Sequence, residues 1–160
     1  MRIKRPAALV AIIVLCEVVG LLGSLFTFSS IPTWYASLSK PSFTPPSWLF
    51  GPVWVILYFL MSVSAYLIYE NGIKKKNVKR ALYVFAAQLA LNFLWSVAFF
   101  GARSISLGLV IIVLLWIAIA ITIIEFFRIR KSAGVLLLPY IAWVTIAMAL
   151  NYSILVLNHL

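Results

Sequence analysis

The sequence predicts an all-α integral membrane protein, a bundle of five transmembrane helices forming one domain over residues 1–160. Three observations carry this. Only 10% of the residues are charged and 65% are hydrophobic, against about a quarter charged in soluble domains. So few charges cannot cover the surface of a water-soluble globule, and lipid against most of that surface removes the conflict. Five long apolar stretches follow one another along the chain, and the basic residues gather at alternate gaps between them. The net charge of +10 would suit a nucleic-acid partner, but its clustering between apolar runs excludes that class.

The stretches fall at about residues 6–28, 47–69, 80–100, 105–127 and 134–157. At ~1.5 Å per residue each is long enough for a hydrocarbon core of ~30 Å. The first has a rival reading as a signal peptide, because Met-Arg-Ile-Lys-Arg makes a basic start. Its apolar run from Ala7 to Phe28 outruns the usual h-region of about 7–15 residues, so a retained helix is expected. Thr44 or Ser47 is expected to cap the second helix beside Pro45 and Pro46. Gly101 is expected to end the third, and Pro139 to kink the fifth or free a carbonyl there.

Eleven of the thirteen basic residues belong to one side: Arg2, Lys4 and Arg5; Lys74, Lys75, Lys76, Lys79 and Arg80; Arg128, Arg130 and Lys131. Lys40 and Arg103 alone belong to the other. The positive-inside rule then puts the N-terminus in the cytoplasm and the C-terminus outside. One cysteine, Cys16, allows no intramolecular disulfide. One cysteine and one histidine, His159 near the end, are too few for a metal centre. No Gly-rich phosphate loop and no nucleophile–histidine–acid set is present, so a conventional hydrolase or transferase site is unsupported and no cofactor is expected.

The segment 29–46 is the one long connection, and it mixes Trp34, Tyr35 and Phe43 with four prolines. Proline fixes φ and removes a donor, so a stiff, non-helical loop is expected. It reads equally as a lid over the bundle or as an aromatic belt at headgroup level. Polar groups inside a membrane are costly, and each needs a reason. Gln88 and Asn92 share a face with Trp95 and Phe99; Trp143, Ala147, Leu150 and Asn151 share another; Trp54, Tyr58, Met61 and Ala65 a third. Converging, these faces would line an apolar pocket suited to a flat hydrophobic ligand with polar edges. Packed together, they would be interhelical glue. Spacing leaves both open.

Glu17 is the one acid deep in a stretch, roughly 16 Å along the helix from Pro6. It reads either as a proton or ligand site or as a carboxyl bonded to a neighbouring helix. Glu125 with Arg128, and Glu70 with Lys74, are spaced for interfacial ion pairs. Ala86 and Ala90 form a small-xxx-small pair that hints at helix packing or a dimer seam.

Three blocks carry a resemblance. The first is Trp34-Tyr35-Ala-Ser-Leu-Ser-Lys40-Pro41-Ser-Phe43-Thr44-Pro45-Pro46-Ser-Trp48, running on through Gly51-Pro52-Val53-Trp54 to Leu57-Tyr58. The second is Gln88-Leu-Ala-Leu-Asn92-Phe-Leu-Trp95-Ser with Phe99-Phe100-Gly101-Ala102-Arg103, and the third is Pro139-Tyr140-Ile-Ala-Trp143 with Ala147 and Leu150-Asn151-Tyr152. Together they resemble the translocator protein family, the peripheral benzodiazepine receptor family, in its prokaryotic type. The resemblance implies five helices, a homodimer in the lipid bilayer, and a cavity beneath the first loop. It implies ligands such as protoporphyrin IX and haem, synthetic isoquinolines and benzodiazepines, and cholesterol in animal members. The family's lining residues fall here on Trp34, Trp48, Trp54, Tyr58, Asn92, Trp95, Trp143, Ala147 and Leu150, beside the Asn151 already picked out. Lys40 and Arg103 stand where they would attract propionates or anchor the interface. Two departures stand out. Phe43 replaces a frequent tryptophan, and no basic residue follows Tyr152, so specific cholesterol binding is not implied. The function this implies is a membrane-embedded sensor or transporter of porphyrins. Two alternatives accompany it: a light- and oxygen-dependent porphyrin-degrading enzyme working through Trp54 and Trp143, and a regulatory partner protein with a vestigial pocket.

Overall fold

Among the described residues, six α-helices make five crossings long and apolar enough to span a membrane. The chain is an integral, multi-pass membrane protein. The structure is a computed structural model that describes residues 5–159, His159 by its backbone alone. Arg2, Lys4 and the His159 side chain, read above in the sequence, lie outside the described residues. Helix α1 spans Pro6–Ser30 and continues as a π-helical turn, Ile31–Tyr35. Helix α2 spans Ser47–Tyr69, and α3 spans Lys76–Ser96 with a second π-helical turn at Val97–Gly101. Helix α4 spans Ile105–Ile129, the short α5 spans Lys131–Leu136, and α6 spans Leu138–His159. Among the described residues there is no strand.

The first connection is shorter than the sequence suggests. The first part of the expected loop 29–46 stays helical through Ser37, because a π turn absorbs Pro32 without ending the helix. Only residues 38–46 remain irregular. They are tied down at the α1 end: Lys40 Nζ donates to the carbonyls of Tyr35 (2.8 Å), Ala36 (3.2 Å) and Leu38 (2.8 Å), closing the end of that helix. The Ser39 N–H donates to Asn158 Oδ1 at 3.0 Å, and Asn158 Nδ2 returns a bond to the Ser39 carbonyl at 2.9 Å. The expected side-chain cap on α2 is absent. Pro46 takes the N-cap position, and the Thr44 hydroxyl turns back to the Pro41 carbonyl at 2.7 Å.

Gly101 ends the third crossing as its sequence suggests, and the turn beyond it is made by Arg103 at φ 53°. Pro139 breaks the fifth crossing: it lacks the N–H that would bond to Val135, and the helix is interrupted at Leu137 between α5 and α6. At the basic end of the bundle, Glu125 accepts from Arg128 at 3.1 Å, as its spacing suggests, and from Arg80 at 2.6 Å. Glu70 does not pair with Lys74. It faces Arg130 across the bundle at 3.4 Å, because the break before α5 carries that guanidinium to the end of α2.

A chain of hydrogen bonds crosses the buried centre. The Tyr58 hydroxyl donates to Asn92 Oδ1 at 2.5 Å, and Asn92 Nδ2 donates to the Tyr140 hydroxyl at 2.9 Å. Tyr140 in turn donates to Gln88 Oε1 at 2.9 Å. Helices α2, α3 and α6 are joined by this chain. Tyr140→Phe strands the amides of Asn92 and Gln88, and leaving a buried polar atom unpaired costs about 1–3 kcal/mol. The melting temperature in detergent should fall clearly for Tyr140→Phe and stay unchanged for Tyr152→Phe, whose ring is exposed.

Candidate functional site

The helices that the hydrogen-bonded chain joins leave a gap on their α1 side. There α1 approaches α2 closely at Gly20, where an added Cβ would lie 2.5 Å from the Tyr58 ring. Beside that contact a cavity of about 190 Å³ opens between α1, α2 and α3. Its floor is at Glu17, Tyr58 and Asn92, about midway along the first two crossings. Its upper end lies among Ile31, Ser47 and Phe100, beside the first loop. Its outer rim includes Leu21 and Phe28 on α1 and Val55 on α2, which are exposed on the surface that faces lipid. The cavity is therefore open sideways to the bilayer.

The walls are aromatic. Trp54 lies 5.8 Å from Tyr58 and 6.4 Å from Trp95, centroid to centroid. Trp95 stacks on Phe99 at 5.7 Å and meets Phe100 edge-on at 5.8 Å. The second π turn makes this possible by bringing Phe99 and Phe100, neighbours in sequence, both into the core. At ~190 Å³ the space exceeds the ~150 Å³ that admits benzene and falls short of the ~300–1,000 Å³ usual for drug-sized ligands. A bicyclic ring system fits inside it.

A second void of about 20 Å³, room for one water, lies behind the first among Tyr35, Phe50, Trp95, Phe99, Phe100, Ala147, Leu150 and Asn151. Phe50, Trp95 and Phe100 line both spaces and form the partition. Two buried donors have no partner among the described residues, the Tyr35 hydroxyl and Trp143 Nε1. Both rings flank Phe50, at 6.5 and 5.9 Å.

The residues singled out in the sequence are thus divided. Trp54, Tyr58, Asn92 and Trp95 line the main cavity; Ala147, Leu150 and Asn151 line the small void. Trp34, Trp48 and Trp143 line neither. Trp34 packs edge-on against Phe99 at 5.4 Å, and Trp48 is 72% exposed at the start of α2. Asn151 is engaged: it accepts from Trp95 Nε1 at 3.3 Å and donates to the Ile105 carbonyl at 2.9 Å. Lys40 is occupied by the end of α1, while Arg103 is exposed at the start of α4.

Sequence reasoning missed α1 as a wall. Glu17, Gly20, Ser24, Thr27 and Ile31 all line the cavity. Their separations of three and four residues are a helical face, with small and polar residues set into an aliphatic run, and that was the available signal. Phe50 and Ser96 were missed as well. Ser24→Phe should crowd the cavity at a cost of about 1–3 kcal/mol, lowering the affinity for naphthalene by about tenfold or more in a tryptophan-quenching titration. Unchanged affinity would put the small aromatic elsewhere.

Comparison with known proteins identifies a family. Residues 12–157 match the model of the TspO/MBR family. A "Tryptophan-rich protein TspO" from Archaeoglobus fulgidus is 48% identical over 150 residues, covering 94% of this chain and 96% of that protein. A "Tryptophan-rich sensory protein" from Cereibacter sphaeroides is 39% identical over 125 residues, covering 78% and 77%. The human "Translocator protein" is 40% identical over 139 residues, covering 86% and 82%.

Proposed function

The chain belongs to the TspO/MBR family, and on that footing we propose that it is a membrane-embedded binding protein, a sensor or transporter for porphyrins and related flat hydrophobic ligands. The observation that carries this reading is the aromatic cavity, with Trp54, Tyr58 and Trp95 on its wall and Asn92 at its floor. Stacking on such rings suits a planar macrocycle. The names of two relatives, a sensory protein and a translocator protein, support sensing or movement of a bound molecule.

A tetrapyrrole is larger than the cavity. The reading therefore includes a motion: Phe50 swings aside and joins the main cavity to the small void. The enlarged space then reaches Ala147 and Leu150, and the unpartnered donors Tyr35 Oη and Trp143 Nε1 receive the carboxylate oxygens of the macrocycle. Leaving those donors unsatisfied is costly in the empty protein, which gives a ligand acceptor an advantage there. In this reading the basic end, with Arg80, Arg128 and Arg130, faces the cytoplasm and the loop end faces outward. A homodimer would meet along the exposed Ala86 and Ala90 of α3.

Titration with protoporphyrin IX in the dark, followed by the shift of its Soret band, tests the reading. Saturable binding should weaken about tenfold or more in Trp95→Ala, which removes a stacking partner worth about 1.5 kcal/mol beyond its area burial. Phe50→Ala should bind more tightly than wild type. Absent or unsaturable binding in wild type would remove the proposal, and weaker binding in Phe50→Ala would remove the motion.

A further inference from the structure

The chain holds three acids, and two of them are neutralised at the basic end of the bundle. Glu125 has Arg80 and Arg128, and Glu70 has Arg130 together with the Tyr66 hydroxyl at 2.6 Å. Glu17 is different. It lies near mid-membrane on α1, lines the floor of the main cavity, and has no hydrogen bond or ion pair among the described residues.

The polar groups nearest to it are already committed as donors, and the two remaining hydroxyls of the lining lie farther up, Ser47 at the upper end and Ser96 beside Gly23. The Tyr58 hydroxyl donates to Asn92 at 2.5 Å, and Asn92 Nδ2 donates to Tyr140 at 2.9 Å. Ser24 donates to the Leu21 carbonyl at 2.7 Å and Thr27 to the Gly23 carbonyl at 3.4 Å, both within α1. Among the described residues no lysine, arginine or histidine lines the cavity. A carboxyl at membrane depth is tolerated when a partner faces it, and the floor of this cavity supplies acceptors and π faces but no uncommitted donor to meet Glu17. What the site lacks is a hydrogen-bond donor carrying positive charge.

We propose that the floor of the cavity is a binding site for a lipophilic ammonium ligand, a secondary or tertiary amine protonated at neutral pH and attached to one or two aromatic rings. Its N–H donates to the Glu17 carboxylate. Its cationic head lies against the faces of Trp54 and Tyr58, where the ring quadrupoles attract it. Its ring system fills the space beneath Trp95 and Phe100, within the size that the cavity admits. It enters from the bilayer between Leu21, Phe28 and Val55, where amphiphilic amines concentrate. The proposal needs the cavity and Glu17 only, and stands whether or not a tetrapyrrole binds.

The test uses the full chain in nanodiscs of zwitterionic lipid with two matched probes, dimethyl(naphthylmethyl)amine and isobutylnaphthalene, its uncharged hydrocarbon isostere. Tryptophan quenching gives the affinity of each, and the ratio of the two is the readout. Wild type should favour the amine by about tenfold or more, the size of a hydrogen bond to a charged group. Glu17→Gln should abolish that preference. A ratio that is the same in both proteins overturns the proposal, because a merely structural loss weakens both probes together. A second arm keeps to the wild-type protein. A hydrophobic carbodiimide, with the adduct located by mass spectrometry, should modify Glu17 more slowly in the presence of the amine than of the hydrocarbon at equal occupancy-saturating concentrations. Equal rates overturn the proposal. Failure of protoporphyrin IX to bind while the amine preference persists would count against the tetrapyrrole reading alone.

Discussion

In hydrocarbon a polar group has no water to turn to, so it is bonded within the protein or it is expensive. The chain Tyr58–Asn92–Tyr140–Gln88 meets that constraint for four side chains at once, and in doing so it sets the spacing of α2, α3 and α6. Trp95 and Asn151 extend the same logic to the start of α4 through the Ile105 carbonyl. Helix α1 takes no part. It is the least buried of the five crossings; its hydrogen bonds to the rest lie near its ends, Arg5 with Tyr66 and Tyr69 and Ser30 with the Phe100 carbonyl at 2.7 Å, and between them it is held by packing alone, closest at Gly20. The cavity falls where the polar chain stops and the helix held by packing begins.

Pocket wall and interhelical glue therefore cease to be rivals. Asn92 is both, since its amide links Tyr58 to Tyr140 while its side chain closes the cavity floor. Its hydrogen-bonding capacity is largely used by the fold, so what it offers a ligand is position and polarity more than a free donor. The rings supply contact area at little entropic cost, because they are already held by one another. Affinity in such a site depends on shape and on the few polar groups left unpaired, among which, within the described residues, Glu17 stands at the cavity floor and Tyr35 Oη and Trp143 Nε1 stand behind Phe50.

The number of crossings was legible because lipid demands long apolar runs, and charge alternation separated them cleanly. The break at Pro139 and the stop at Gly101 were legible for local backbone reasons. The π turns were not, since i→i+5 bonding has no composition of its own and Pro32 looked like a helix breaker. The amide and aromatic faces on α2, α3 and α6 were legible from spacing, and four of their residues do line the cavity. The division of the predicted pocket by Phe50 was hidden, because a side-chain rotamer decides it. The α1 wall was visible in principle as the Glu17–Gly20–Ser24–Thr27 face, but uniform hydrophobicity around it masked the pattern. Glu70 went to Arg130 because a partner distant in sequence was brought nearer than the one four residues away.

The two π turns sit opposite each other at the loop end, joined by the Ser30 hydroxyl on the Phe100 carbonyl. A π turn is one residue wider than the α-helical turn it replaces, so it takes up a surplus residue within itself, where the same surplus in a regular α-helix would rotate everything beyond it by about 100°. Both crossings therefore keep the phase of their long α-helical bodies while the turns reset the aromatic residues they hold, Trp34 and Tyr35 on one side and Phe99 and Phe100 on the other. A change of one residue in chain length at 31–35 or 97–101 can be absorbed where it falls, and the faces of the rest of the bundle are insulated from it.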